Sequence, residues 1–186
     1  MNKILIIGKK SFLGSSLSRY LSKSFKVDNF SYETIRKKKP IFFEKYSHVI
    51  NTAILPQYVN KKYNENYDLD VKFLKKFRKI NFYYVFLNTR KIYSLNTKNT
   101  NVSENSKIKP TGTYAQNKLT TEKYLRKNIN KKLISLRISN VIGKRLYKNS
   151  RNSHKLFFDN FLTYRKNNKK KEKLIIVNND FKDFLS

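Results

Sequence analysis

The chain has 186 residues, 39% of them apolar, and 42 Lys+Arg stand against 12 Asp+Glu for a formal charge of +30. That length suits one domain with a real core. Zero cysteines and only two histidines, His48 and His154, exclude a disulfide scaffold, thiolate metal sites and cysteine nucleophiles, and argue against any metal centre or His-based triad.

The longest apolar stretches run five to eight residues, far short of the roughly 20 needed to cross a bilayer, and the N-terminus lacks a signal-peptide pattern. A cytoplasmic protein with no membrane span is therefore expected. The charge first suggests an anionic partner. The basic residues, however, are 33 Lys and 9 Arg alongside 23 Asn, the set that A/T-rich codons encode, and Arg, the residue suited to bidentate phosphate and base contacts, is scarce and scattered. A solvated basic surface is the favoured reading over a nucleic-acid partner.

In chain order, Lys3 to Ile7 (KILII) is a continuous apolar run that suits a strand buried on both faces of a parallel sheet. Gly8-Lys9-Lys10-Ser11-Phe12-Leu13-Gly14 follows it and opens a helical pattern over Leu13 to Lys23. This is the context of a dinucleotide-binding turn. Gly8 would permit the tight turn and Gly14 close helix-sheet packing, with the helix-start N–H groups, Phe12 and Leu13 included, facing a pyrophosphate. Ser11 stands where the middle glycine is usual, so its Cβ would lower affinity or shift the cofactor. A plain glycine-bearing strand-to-helix turn is the alternative.

Phe25 to Val27 would form a short second strand. Asp28, 20 residues after Gly8, would then accept hydrogen bonds from an adenine-ribose diol and favour NAD over NADP. Ile35 to Lys39 (IRKKK) reads as a solvated face. His48 to Thr52 (HVINT) is the next strand, with His48 a tolerated strand residue at its start. Tyr63 to Lys79 has helical spacing through Leu69, Phe73, Leu74 and Phe77. Phe82 to Leu87 (FYYVFL) is a further strand, ending at Asn88-Thr89, and Asn96 to Pro110 is a long polar loop of the kind that carries function.

Thr113 to Arg126 is helical and begins with Tyr114-Ala115-Gln116-Asn117-Lys118, placing a Tyr and a Lys four apart on one face. With 13 Tyr and 33 Lys, about two such pairs arise by chance, and Tyr58 with Lys62 is the other. The Tyr114 pair differs in following a strand that ends in Thr89, so that Thr, Tyr and Lys converge at the carboxyl end of a parallel sheet, where such folds bind ligands. Leu133 to Arg137 (LISLR) and Leu174 to Val177 (LIIV) are further strands, separated by the helical pattern Ser153 to Lys166 and the charged connector Asn167 to Lys173. Alternating strands and helices define an α/β fold, a Rossmann-type doubly wound parallel sheet.

Taken together, these motifs resemble those of the extended short-chain dehydrogenase/reductases, in particular the NAD-dependent epimerase/dehydratases that act on nucleotide sugars. GKKSFLG is similar to the family's GxxGFxG, VINTAI (Val49 to Ile54) to VIHLAA, and TRKIY (Thr89 to Tyr93) to S/T-x-x-x-Y. PTGTYAQNK (Pro110 to Lys118) with Glu122 resembles P-x-x-x-Y-x-x-x-K-x-x-x-E. LRISNVIG (Leu136 to Gly143) and DFKDFLS (Asp180 to Ser186) are similar to LRxxNVYG and the RDF stretch. Ser11, Asn51, Thr52, Asp70 and Lys144 depart from the family pattern. Family members also continue beyond the last stretch, so the resemblance implies one NAD(P)-binding domain over residues 1–186, with a substrate-binding region that begins near 144–186 and is incomplete. Apolar surface exposed at that end would favour a homodimer.

The resemblance further implies that Gly8, Ser11, Phe12, Leu13, Gly14, Asp28, Thr52, Ala53, Tyr114 and Lys118 contact NAD, with NADP left open. Tyr114 would exchange the proton of a sugar hydroxyl while hydride moves to or from the nicotinamide. Lys118, together with the oxidised nicotinamide ring, would lower the tyrosine's pKa, Lys118 would also bond the nicotinamide ribose, and Thr89 would hold the reacting oxygen. Asn140 either contacts the nucleotide-sugar substrate or fixes its own loop, and Arg137 is structural. Reduction, dehydration and epimerisation remain open, as does a relative that binds dinucleotide without catalysis.

Overall fold

The computed structural model describes residues 3–77, 81–93, 102–138 and 141. Five strands, β1 (Lys3–Ile7), β2 (Lys26–Phe30), β3 (His48–Asn51), β4 (Tyr83–Thr89) and β5 (Leu133–Ile138), pair in the order β2-β1-β3-β4-β5, and every pair is parallel. The apolar runs of β1, β3 and β4 follow from burial on both faces, whereas β2 (KVDNF) and β5 (LISLRI) are only partly buried. Leu5, Ile7, Val49, Tyr84 and Phe86 face one core with Phe43, Phe73, Phe77 and Leu125. Ile4, Ile6, Ile50, Val85 and Leu87 face the other side, where Leu13, Leu17 and Leu21 of α1 (Phe12–Leu21) pack one helical turn apart.

The chain runs from β1 outward to β2 and then crosses back to β3 on the far side of β1. The carboxyl ends of β1 and β3 therefore flank the point where strand order reverses, the usual ligand crevice of an open α/β sheet. α5 (Gly112–Ile129) connects β4 to the parallel β5, so its N-terminus lies at that same carboxyl edge.

Short elements fill the remaining connections: α2 (Tyr32–Arg36), a 3-10 turn at Pro40–Phe43, and α3 (Pro56–Asn60). The segment expected to be helical from Tyr63 to Lys79 instead forms a 3-10 turn at Glu65–Tyr67 and then α4 (Leu69–Lys76). Asp68 sets this boundary, because its carboxylate accepts the Asp70 and Val71 N–H groups, both at 3.1 Å, and caps the helix there. Within the basic run, Arg36, Lys37 and Lys39 are exposed as expected, whereas Ile35 is a core residue.

The described residues up to Ile138 belong to one compact unit. The expected elements at 153–166 and 174–177, and the sequence matches at 139–140, 142–144 and 180–186, lie outside the described residues. No helix among the described residues is long and apolar enough to cross a membrane.

Candidate active site

The turn after β1 is shaped by contacts that leave no room for a Cβ. Gly8 has φ +125°, and a Cβ there would lie 2.2 Å from Thr52 Oγ1; a Cβ on Gly14 would lie 2.3 Å from the Gly8 carbonyl oxygen and 2.7 Å from Thr52 Oγ1. Both positions thus require glycine: Gly8 by its positive φ and the Thr52 hydroxyl, and Gly14 by the Gly8 carbonyl as well as that hydroxyl. Ser11 is the N-cap of α1: its Oγ accepts the Gly14 N–H at 2.9 Å and lies 2.8 Å from Thr52 Oγ1. Thr52 donates to the Ile7 carbonyl at 2.9 Å, so the Ser11 hydroxyl donates to Thr52.

Gly8, Ser11, Phe12, Leu13, Gly14 and Thr52 are in this way gathered at the switch point. Ala53 follows Thr52, its N–H donated to Asn51 Oδ1 at 3.0 Å. The Ser11 cap takes the Gly14 N–H. The Phe12 and Leu13 N–H groups, which have no acceptor among the described residues, lie at the helix start and suit an anion such as a pyrophosphate.

Asp28 is a correction. Although it lies 20 residues after Gly8, it sits in the middle of β2 opposite Leu5, while the strand runs on to Phe30. Its carboxylate receives the Tyr46 hydroxyl at 2.5 Å and pairs with Lys3 at 2.9 Å. Burial works to raise its pKa, but those hydrogen bonds and the Lys3 and Lys45 charges outweigh it and hold the carboxyl below its ordinary range. The acid expected at the ribose is therefore a structural anion inside the sheet.

At the far side of the crevice, Thr89 ends β4 and is buried. Its Oγ1 accepts the Lys91 N–H at 3.3 Å, and its own N–H is held by Asn88 Oδ1 at 2.7 Å. Two backbone hydrogen bonds, Lys109 N–H to Ile92 and Thr111 N–H to Lys91, tie the segment before α5 to the turn after β4. That lashing starts α5 beside Thr89 and places Tyr114 in its first turn.

Lys118, one turn further along, is only 6% exposed. Its Nζ lies 4.5 Å from the Phe86 ring centroid, 5.6 Å from Tyr58 and 5.9 Å from Tyr114, and makes no hydrogen bond or ion pair among the described residues. Burial lowers its pKa, and the carboxylates of Asp70 and Asp68 pull it back upward. The Tyr114 hydroxyl is pushed up to about 12 by burial, with Asp70 adding to the shift. In the chain without cofactor, desolvation disfavours the phenolate, and the nearby fixed charge that acts on it is negative.

Several residues that matter to the site were not assigned from the sequence. Asp70 accepts Asn51 Nδ2 at 2.9 Å and the Tyr84 hydroxyl at 2.6 Å. Asp68, fully buried, accepts the hydroxyls of Thr121 at 2.5 Å and Tyr63 at 3.1 Å, and Thr121 in turn receives that of Tyr58 at 2.6 Å. Burial and the neighbouring Asp70 raise Asp68 to about 6. Asn88 donates to the buried Glu122, on which Arg126 and Arg137 also converge. The only sequence signals were an Asp just ahead of an apolar helix and a Glu one turn beyond Lys118.

A parallel sheet with a sterically fixed glycine turn at its switch point, and a Tyr/Lys pair on the next helix face, defines a Rossmann-type α/β fold. The model of the NAD dependent epimerase/dehydratase family matches residues 4–180, and the chain belongs to that family.

No curated protein matches the sequence. Among solved structures, the chain is similar to a UDP-N-acetylglucosamine 4-epimerase from Methanobrevibacter ruminantium in complex with UDP-N-acetylmuramic acid (TM-score 0.64, 18% identity, 81% of this chain and 58% of that one). It is also similar to a UDP-glucuronic acid 4-epimerase from Bacillus cereus in complex with NAD (0.60, 20%, 77% and 58%) and a dTDP-4-dehydrorhamnose reductase from Clostridium acetobutylicum (0.61, 20%, 87% and 60%). The chain thus spans about three fifths of the length of these proteins.

Proposed function

We propose that this chain binds a nicotinamide dinucleotide along the carboxyl edge of its sheet and takes part in hydride-transfer chemistry on a nucleotide sugar. One observation carries the reading: an almost fully buried ammonium, Lys118, without a hydrogen-bond partner among the described residues, one helical turn from Tyr114. Keeping a cation desolvated without a partner is costly, and the ribose hydroxyls of a dinucleotide would satisfy it. The glycine turn supports the pyrophosphate end of the same ligand, and the substrate class rests on the nucleotide sugars named for the similar structures.

Bound there, the nicotinamide would supply hydride acceptance and donation. The chain's own residues divide the remaining work. Phe12 and Leu13 N–H groups bind phosphate oxygen, Lys118 orients the ribose, Tyr114 passes a proton at its hydroxyl, and the Thr89 hydroxyl holds the sugar oxygen. A second reading, dinucleotide binding without turnover, is supported by the burial and the Asp70 carboxylate that push the Tyr114 hydroxyl up in the chain without cofactor, away from the range of a base near neutral pH.

Chromatographic analysis of the sugar products, after the purified chain is incubated with NAD(P) or its reduced form and UDP- or dTDP-linked sugars, separates the two, because epimerisation and dehydration return the hydride and leave no net reduced cofactor. The first reading expects conversion of a nucleotide sugar that Tyr114→Phe lowers by about 100-fold or more with dinucleotide binding retained. Binding without any sugar conversion supports the second.

A further inference from the structure

Lys118 rests its ammonium against the Phe86 ring, is buried, and has no direct hydrogen bond or ion pair among the described residues. An ammonium at that depth keeps its proton only where opposite charge lies close by. That charge is carried by α4. Asp70 Oδ1 accepts Asn51 Nδ2 at 2.9 Å and the Tyr84 hydroxyl at 2.6 Å. Asn51 stands opposite Phe86 in the pairing of β3 with β4, and Tyr84 precedes Phe86 on the same face of the sheet. Asp70 is thereby pinned to the sheet beside the ring that supports Lys118.

Asp68 reaches the same region through α5. Its carboxylate accepts the Thr121 hydroxyl at 2.5 Å, and Thr121 lies one turn beyond Lys118 on the same side of the helix. Both carboxylates pull the Lys118 pKa upward against burial, Asp70 more strongly than Asp68. The neighbouring phenols do not compete. Tyr58 of α3 and Tyr114 of α5 flank the ammonium, while Tyr84 of β4, Tyr63 and Tyr32 of α2 lie near the carboxylates. Burial pushes all five upward, so they are uncharged near neutral pH. Glu122, the next acid along α5, is taken up by Arg126 and Arg137.

We propose that Asp70, aided by Asp68, is the remote counter-ion of Lys118: a positioning residue that holds the ammonium charged while leaving its N–H groups to a ligand. A direct ion pair would stabilise the charge but occupy those donors. A carboxylate already engaged by Asn51 and Tyr84 supplies the field without taking them. The ligand that uses the donors rests on the dinucleotide reading above, whereas the coupling of the two charges is independent of it.

The test follows the side-chain resonance of Lys118 by NMR in the full chain with isotope-labelled lysine, from about pH 6 to about pH 11, the signal being identified by its loss in Lys118→Met. Lys118 is expected to stay charged through neutral pH in the wild type. Asp70→Asn, whose amide oxygen still accepts Asn51 and Tyr84, lowers the midpoint by about one pH unit or more, and Asp68→Asn lowers it by less. Tyr84→Phe removes a bond to Asp70 but no charge, and leaves the midpoint in place. Fluorescence titration with NADH over the same range is expected to show affinity falling where Lys118 discharges, at lower pH in Asp70→Asn than in the wild type. A neutral Lys118 in the wild type near neutral pH overturns the proposal, as does an unmoved midpoint in folded Asp70→Asn. An equal drop in Tyr84→Phe also overturns it, because packing would then be the cause. If Asp70→Asn does not fold, the wild-type midpoint and the Asp68→Asn shift decide. If the midpoint moves as stated but no dinucleotide binds, the dinucleotide reading fails and the role of Asp70 as counter-ion stands.

Discussion

Asn88 donates its side-chain N–H to Glu122 Oε2 at 2.7 Å, and through its own Oδ1 holds the Thr89 N–H at 2.7 Å. A carboxylate on α5 thereby fixes the backbone of the residue that ends β4. Glu122 also binds Arg126 at 2.8 Å and Arg137 at 3.3 Å, and Arg137 reaches the Tyr93 hydroxyl. One buried anion joins α5, β4, β5 and the turn beyond Thr89, and so sets the spacing between Thr89 and Tyr114.

Replacing Glu122 with Ala is expected to destabilise the chain by about 3 kcal/mol, because the partners of a buried charge are left uncompensated. Glu122→Gln keeps the bond with Asn88 and should cost less. Burial works to raise the Glu122 pKa, but the hydrogen bond from Arg126 and the charge of Arg137 outweigh it and depress the group. Its stabilisation is therefore present at neutral pH and lost as the pH falls below the ordinary Glu range. Urea unfolding of the two variants at neutral and acid pH measures both effects.

Gly14→Ala is expected to cost more than about 2 kcal/mol. Its Cβ would meet the Gly8 carbonyl oxygen at 2.3 Å, a backbone contact that Thr52→Ala does not relieve even though it removes the second clash. The double variant should therefore remain unstable. Ser11→Ala, by contrast, loses only a cap and the bond to Thr52 and should cost about 1 kcal/mol. Thermal melts of the three variants check this order, and rescue of Gly14→Ala by Thr52→Ala would show that the hydroxyl alone enforces the glycine.

Asp68 gives the fold an inverted pH response. Its carboxyl, raised from 3.8 to about 6, keeps its proton in the folded chain at a pH where the unfolded chain has lost it. Stability should fall as pH rises from about 4 to about 6 and level off above, by up to roughly 3 kcal/mol for a shift of that size. Asp68→Asn retains a capping side chain and should remove this part of the slope, whatever its effect on absolute stability. Denaturant unfolding across that pH range, wild type against variant, is the measurement.

The alternation of strands with helices was legible in the sequence because burial on both faces of a parallel sheet demands unbroken apolar runs, and KILII, HVINT and FYYVFL are such runs. Gly8 and Gly14 were legible as a turn. The Thr52 hydroxyl that crowds both of them was not, because it comes from the end of a strand some 40 residues away in the chain. Asp28 was misplaced because a fixed spacing assumes where β2 ends, and this strand continues two residues further.

The surroundings of Lys118 were the least legible part. Asp68 and Asp70 were given no role in the sequence, yet Thr121 on α5 bonds the buried Asp68, and Asp70 is bonded by Asn51 and Tyr84. Those contacts exist only once α4 and α5 pack together. The tyrosine and lysine shared a helix face as the spacing required, but the sign of the field acting on them was set by two aspartates whose burial no local pattern reveals.

The most direct test of the central claim is a fluorescence titration of the full chain with NADH and NADPH, run in parallel on Lys118→Met, with circular dichroism confirming that both proteins are folded. Saturable binding of at least one dinucleotide by the wild type, weakened about ten-fold or more in the variant as the charge-assisted bonds to the ribose are lost, is the predicted result. Binding that Lys118→Met leaves unchanged, or no saturable binding to the folded wild-type chain, would contradict the account.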